Sequence, residues 1–163
     1  MPNAEPPAPD TFNVGRVSYA IFQLHRAHRG YAATLLRQMG LHPGQELVLM
    51  HLYDRDAQTQ SELLASIGLD HSTLSKTLRR MQDAGLLVRE PAEHDRRVMV
   101  VRLTDKGSAL REPIAAMWRA LEEVTLRNIS QRQAEDLEKA AYSIVDAINN
   151  RAQSPDPKES ESS

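Results

Sequence analysis

The sequence predicts a mainly α-helical fold with one small β-hairpin. Apolar residues make up 40% and charged residues 26% of the 163 positions, which is typical of folded globular chains. Aromatic residues reach only 4%, whereas strand-rich sandwiches and barrels use more of them. Apolar residues recur instead at steps of three and four along most of the chain, which is the spacing of one helix face.

Long amphipathic helices are predicted at both ends of this fold. The first has one narrow apolar seam, formed by Val14, Val17, Ile21, Leu24, His28, Tyr31 and Leu35. Near the other end a helix opens at Thr104 and Asp105, and Pro113 either kinks it or marks its true start. Ser130 and Gln133 form a capping box for the last helix. The apolar stripes of these two helices comprise Leu110, Ile114, Met117, Leu121 and Val124, then Leu137, Ala141, Ile144 and Ile148.

The middle of the chain predicts a helix-turn-helix. Thr59 and Glu62 fit a capping box at the start of a short helix that stops at Gly68. Asp70 then caps another helix, which ends at Gly85. Two helices joined by a turn of about three residues that contains glycine are typical of the helix-turn-helix motif. Before it, a further helix is expected with His42 and Pro43 as cap and first-turn pair, followed by a polar connection over 54–58. Its apolar side comprises Leu47, Leu49, Met50 and Leu52.

A β-hairpin is predicted directly behind this motif. Residues 86–89 and 98–103 have the composition of strands, and 91–95 that of a turn. A hairpin in this position is the wing of a winged helix. The predicted fold class is therefore mainly α with a small β-hairpin wing, a winged helix-turn-helix.

The second helix of the motif has a polar face suited to double-stranded DNA. Leu74, Leu78 and Met81 cluster on one side of a helical wheel, and the polar residues cluster on the other. The N-terminal part of the polar face holds Ser72, Thr73, Ser75 and Lys76, short donors and acceptors with one long cation, which can reach base edges in a major groove. Arg79 and Arg80, one turn further along, are expected to contact phosphates. The alternative reading is an ordinary solvated helix face.

Charge supports the DNA reading only locally. The net charge is −2 and the isoelectric point is near 6.3, so global charge does not favour nucleic acid. The segment from His71 to Arg102, however, contains seven basic and four acidic residues, which is a local excess of +3. The tip of the predicted hairpin adds His94, Arg96 and Arg97 beside the polar helix. Together these features predict a DNA-binding surface.

At this point the sequence resembles the MarR family of bacterial regulators, over roughly residues 14–150. The resemblance rests on five segments: Thr59-Gln60-Ser61-Glu62-Leu63, Leu69-Asp70-His71-Ser72-Thr73, Ala84-Gly85-Leu86-Leu87, Asp95-Arg96-Arg97 and Leu103-Thr104-Asp105-Lys106-Gly107. It implies a sequence-specific transcriptional regulator that acts as a homodimer on a palindromic site. It also implies that Asp95 and Arg97 hold the wing loop rigid while an arginine enters the minor groove. Arg97 can pair with Asp95 or with the capping Asp70, leaving Arg96 free for DNA, or the two arginines exchange roles.

The expected organisation places DNA binding between two dimerisation segments. We expect disordered tails over 1–12 and 151–163, because both are Pro-rich or strongly polar. A dimerisation helix over 13–39, a winged helix-turn-helix lobe over 40–104 and C-terminal dimerisation helices over 105–150 lie between them. The apolar stripes of the end helices either fold back on the chain's own core or pair with a second copy, and the elongated plan favours a homodimer.

An effector is implied by the same resemblance, since MarR-like proteins often bind small aromatic or anionic compounds. Opposite the seam of the first helix, Tyr19, Phe22, Arg26 and Arg29 combine two rings with two cations and are the candidate effector residues. The alternative is an exposed basic face with partly buried rings.

Several other functions are excluded or disfavoured by the sequence. The chain has no cysteine, which excludes disulfides, thiolate nucleophiles, thiol redox sensing and Cys-ligated metal. His25 and His28 share a helix face but have no third ligand nearby, so no metal and no cofactor are expected. No Gly-rich phosphate loop or nucleophile elbow is present, so an enzyme is not expected. Without an 18-residue apolar stretch or a signal peptide, we expect a cytoplasmic protein that does not enter a membrane.

Overall fold

The computed structural model of the chain describes residues 14–153 and confirms a mainly helical protein with a small antiparallel sheet. Both predicted tails lie largely outside the described residues. The helices are α1 (Arg16–Gln38), α2 (Gln45–Asp54), α3 (Gln60–Ile67), α4 (His71–Asp83), α5 (Asp105–Ser108), α6 (Arg111–Leu126) and α7 (Gln131–Gln153). The strands are β1 (Gln58–Thr59), β2 (Leu87–Pro91) and β3 (Met99–Leu103). The chain divides into two units, one up to Leu121 and one from Glu122 onwards.

The core of the first unit is built from leucines of the predicted helix-turn-helix and its neighbours. Its largest fully buried side chains include Leu49, Leu52, Leu63, Leu74, Leu78 and Met81. Burying side chains of this size stabilises the fold by about 1.5–3 kcal/mol each. The lobe that carries α3 and α4 therefore has its own hydrophobic core.

The local signals of the helix-turn-helix are confirmed. The Thr59 hydroxyl oxygen accepts the Glu62 backbone N–H, and the Glu62 carboxylate accepts the Thr59 N–H at 2.7 Å. The backbone N–H and the hydroxyl of Thr59, and after them the Arg55 guanidinium at 2.9 Å, lower the pKa of Glu62 to about 2. Gly68 ends α3 with φ 71°, a left-handed conformation that glycine adopts without strain. Asp70 caps α4 as predicted.

The sheet has one strand more than the predicted hairpin. β2 and β3 pair antiparallel, with Leu87 opposite Leu103, which confirms the hairpin. β1 adds a third strand, with Gln58 opposite Val101, in the order β1-β3-β2. The segment 54–58 is therefore not only a polar connection, because it ends in a strand.

The start of α2 was predicted too early. His42 and Pro43 precede the helix, whose N-cap is Gly44 in a left-handed conformation with φ 94°. The Gln45 side chain accepts the His42 N–H at 2.9 Å, and the Glu46 carboxylate accepts the Gly44 N–H at 2.7 Å. These two buried side chains satisfy the turn, so a cap at His42 is not needed.

Pro113 does not kink a long helix but lies at the start of a separate one. The helix opened by Thr104 is the four-residue α5, and Pro113 is the third residue of the separate α6. A proline in the first turn costs no hydrogen bond, because the N–H it lacks has no partner there. The stripe residues Ile114, Met117 and Leu121 of α6 are buried within the chain.

In the second unit, α7 follows the end of α6 and begins at the predicted capping box. The Gln133 side chain accepts the Ser130 N–H at 2.9 Å, and the Ser130 hydroxyl oxygen accepts the Gln133 N–H at 3.3 Å. None of the side chains that the structure describes on α7 is fully buried, and Ile148 is 62% exposed. The apolar stripe of α7 is thus open in a single chain.

The predicted seam of α1 is open as well. Val17 is 69% exposed, and Ile21, Leu24 and Tyr31 are also exposed. The buried side of α1 is limited to its C-terminal end, where Leu36 joins the core of the first unit. Over residues 14–153, no helix combines the length and the apolar character that a membrane crossing requires.

Candidate nucleic-acid interface

The polar face of α4 is exposed as the sequence predicts. Leu74, Leu78 and Met81 are fully buried. The exposed positions of α4 include Ser72, Thr73, Lys76, Arg79 and Arg80, while Ser75 is half-buried. The helix is thus held by its apolar side and presents its cations outward.

Asp70 fixes the N-terminal end of this face. Its carboxylate accepts the Thr73 backbone N–H at 2.9 Å and the Thr73 hydroxyl. These hydrogen bonds from the Thr73 side chain and backbone lower the pKa of Asp70. Because the Thr73 hydroxyl donates its proton to the cap, Thr73 can offer DNA only an acceptor, and Ser72, Ser75 and Lys76 remain the donors at the tip.

The wing loop is held through the backbone of Arg97. The Asp95 carboxylate accepts the Arg97 N–H at 2.9 Å, and the Val98 N–H donates to the Asp95 carbonyl at 2.9 Å. Among the described residues, the Arg97 guanidinium forms an ion pair with neither Asp95 nor Asp70. Neither side-chain pairing considered for Arg97 is therefore present, and Arg96, Arg97 and His94 are all exposed.

A groove joins α3, α4 and the wing. It has a volume of about 410 Å³ and is lined by Thr59, Gln60, Ser61, His71, Ser75, Arg97, Val98 and Met99. The structure thereby brings Ser75 of the helix face and Arg97 of the wing to one surface. Sequence reasoning missed Gln60 and Ser61, although the capping box already marked this helix start, whose free backbone N–H groups favour a phosphate.

The seven lysine and arginine residues between His71 and Arg102 fall into two groups. Arg102 lies 3.8 Å from Glu90, and Arg89 donates to the Gln82 side chain at 2.6 Å. In the part of the chain that the structure describes, no ion pair or side-chain hydrogen bond engages the other five: Lys76, Arg79, Arg80, Arg96 and Arg97. These five exposed cations are available to a polyanion.

The candidate effector residues are only partly brought together. The rings of Tyr19 and Phe22 stack with centroids 6.4 Å apart, and both line an apolar cavity of about 390 Å³ with Gly15 and Ser18. Arg26 and Arg29 do not line that cavity. Burial raises the pKa of Glu46 on α2, and this rise is opposed by backbone hydrogen bonds and, after them, by the charge of Arg29.

Comparison with known proteins finds transcriptional regulators with a similar sequence and a similar fold. Residues 39–98 match the model of the MarR family. The organic hydroperoxide resistance transcriptional regulator of Bacillus subtilis is 27% identical over 120 residues, covering 72% of this chain and 78% of that protein. A mutant MarR from E. coli complexed with operator DNA superposes with a TM-score of 0.76 at 20% identity, covering 84% and 99% of the two chains. BpsR of Bordetella bronchiseptica, described with regulation of its DNA binding by 6-hydroxynicotinic acid, gives 0.72 at 19% identity, covering 80% and 98%.

The fold and the exposed face of α4 define a winged helix-turn-helix protein. The resemblance to the MarR family is confirmed: residues 39–98 match the family model, and the relatives that the chain resembles are transcriptional regulators. Its relatives are regulators and not enzymes, which confirms the expectation for this chain.

Proposed function

We propose that two copies of this chain bind one palindromic operator, each with α4 in the major groove and the wing in the adjacent minor groove. The observation that carries this proposal is the set of five unengaged cations on α4 and the wing, two elements that both line the 410 Å³ groove. In water such a set repels itself, and on DNA it replaces condensed counterions.

The two elements have different roles in this proposal. Ser72, Ser75 and Lys76 at the tip of α4 contact base edges, whereas Arg79 and Arg80 contact phosphates. His94, Arg96 and Arg97 approach the minor groove, where an arginine favours narrow A·T-rich sequence through shape and potential. Asp70 and Asp95 position these groups without contacting DNA.

The homodimer is supported by the apolar surface that a single chain leaves open. On α1 it comprises Val17, Ile21, Leu24 and Tyr31, and on α7 Leu137, Val145 and Ile148. The part of the α6 stripe up to Leu121 is already buried, so the proposed contact relies on α1 and α7. In this division residues 40–104 are the DNA-binding lobe, and residues 13–39 and 105–150 are the dimerisation segments. We further propose that the protein acts in the cytoplasm.

The test is selection of bound sequences from a random pool of DNA duplexes, followed by affinity measurement on the selected site. We expect two inverted half-sites and steep loss of affinity with salt. The double change Arg96→Ala with Arg97→Ala should weaken binding strongly and reduce the preference for A·T-rich flanks. Arg127→Ala with Arg132→Ala removes two charges outside the lobe and serves as the matched control. If the wing variant stays within about twofold of wild type, the wing is not a DNA element here.

A small aromatic effector is a second part of the proposal. The stacked Tyr19 and Phe22 rings offer an apolar surface to a planar ligand. The carboxylate of an aromatic acid would form an ion pair with Arg26 or Arg29. Benzoate and its hydroxylated analogues should dissociate the operator complex of the wild type. Phe22→Ala should be insensitive to them while binding the operator normally, and equal sensitivity of both proteins would contradict this site.

A further inference from the structure

A methionine sulfur contacts the one tryptophan of the sequence where α2 meets α6. The Met50 thioether accepts the indole N–H of Trp118, with Sδ and Nε1 3.1 Å apart. Met50 is nevertheless 36% exposed. The indole therefore holds the sulfur of a side chain that is not buried.

Met50 also lines a small cavity that has a cation in its wall. The cavity has a volume of about 190 Å³ and includes Met50, Tyr53, Arg111 and Trp118 in its lining. The Arg111 guanidinium lies 4.7 Å from the centre of the Tyr53 ring and donates to the Tyr53 carbonyl oxygen at 2.7 Å. Its position is thus fixed by two contacts, and its charge faces a space large enough for a small reagent.

The other methionines provide an internal comparison. Met81 and Met117 are buried, and Met39 is half-buried against the core. Met99 on β3 is 37% exposed, close to the 36% of Met50, but within the described residues its sulfur has no hydrogen-bond donor. Exposure alone therefore predicts equal reactivity of Met50 and Met99.

We propose that Met50 is a modification site at which a hydroperoxide oxidises the thioether to the sulfoxide. A sulfur lone pair attacks the outer oxygen of the hydroperoxide, an S–O bond forms, and the O–O bond breaks. The departing oxygen takes up the proton of the attacked oxygen and leaves as an alcohol. Sulfur loses two electrons and the hydroperoxide gains them, so no further reactant is needed.

The cavity favours this step and retains its product. Negative charge develops on the departing oxygen, and the guanidinium of Arg111 stabilises it. The sulfoxide oxygen is a much better acceptor than a thioether sulfur. The indole N–H that now faces sulfur can donate to that oxygen, so the indole of Trp118 senses the change.

The experiment treats the full chain with limiting tert-butyl hydroperoxide and follows each methionine by peptide mass spectrometry and Trp118 by fluorescence. We expect Met50 to gain one oxygen atom before Met99, and the tryptophan emission to change in step with Met50. Met99→Leu should keep the emission change and Met50→Leu should lose it. Arg111→Gln, which keeps a polar side chain but removes the charge, should remove the lead of Met50 over Met99. Equal or faster oxidation of Met99 in the wild type, or constant emission at full Met50 oxidation, would overturn the proposal without any variant.

Discussion

Gly107 should be the least replaceable glycine of the described chain. It lies in α5 at the base of the wing, where it is buried, and its N–H donates to the Thr104 hydroxyl at 3.1 Å. A Cβ atom at this position would lie 2.0 Å from the carbonyl oxygen of Leu86 and 3.3 Å from a methyl group of Leu103. Real Cβ atoms essentially never come within 3.0 Å of such an atom, so the two backbones must separate by about 1 Å.

The magnitude of Gly107→Ala follows from these contacts. The Leu86 carbonyl oxygen also accepts the Thr104 N–H at 3.2 Å, and moving it weakens that bond. Overpacking together with one weakened backbone hydrogen bond should lower the free energy of unfolding by about 2–4 kcal/mol. For a chain of this size the melting temperature should fall by roughly 4–16 °C.

Thermal and urea unfolding followed by circular dichroism would measure the loss. Gly30→Ala is the matched control, because a Cβ at Gly30 meets nothing within 4 Å in the middle of α1, and it should stabilise the chain by up to about 1 kcal/mol. A Gly107→Ala variant within about 0.5 kcal/mol of wild type would refute the steric argument.

Four further outcomes are expected. Lys76→Ala should weaken binding to the selected operator by about 1–3 kcal/mol, whereas Arg80→Ala should weaken all duplexes alike and reduce the salt slope by about 0.9 per subunit; identical profiles for the two variants would argue against separate roles. Ile148→Asp should shift the chain to the monomer in analytical ultracentrifugation without unfolding it, because Ile148 is exposed in the single chain, and an unchanged dimer would exclude α7 from the interface. Glu46→Gln should raise the melting temperature at pH 7 but not at pH 4. Because the pKa of Glu46 is raised in the folded state, the folded protein loses stability as the pH rises from 4.5 through that folded-state pKa. Thiol-alkylating reagents should leave DNA binding unchanged, since the chain has no cysteine, and a loss of binding would reveal a different target.

The helix-turn-helix could be predicted almost residue by residue because its signals are local. The capping box at Thr59, the left-handed Gly68 and the Asp70 cap each depend on contacts within four residues. β1 could not be predicted in this way. Its two residues have no alternating pattern, and their partners in β3 lie more than 40 positions further along the chain.

The candidate interface was predicted in part. The wheel of α4 separated its buried and exposed sides correctly, because one amphipathic helix settles that question. The contact that holds the wing loop could not be predicted. The sequence allowed a side-chain pair for Arg97, whereas Asp95 accepts the Arg97 backbone N–H. The exposure of the α1 seam also could not be read from periodicity, since an apolar stripe is the same whether a chain or its partner covers it.

The short strand β1 has a consequence for how the lobe meets DNA. Thr59 pairs with Val100 of the wing strand and also caps α3, while the Asp56 carboxylate accepts the Leu103 N–H at 2.9 Å. The wing is thereby connected to the helix-turn-helix as well as to its own hairpin partner, which fixes the distance between α4 and the wing tip. A duplex whose groove spacing does not match this distance must itself deform. Base pairs that the protein never contacts would then influence affinity through their stiffness.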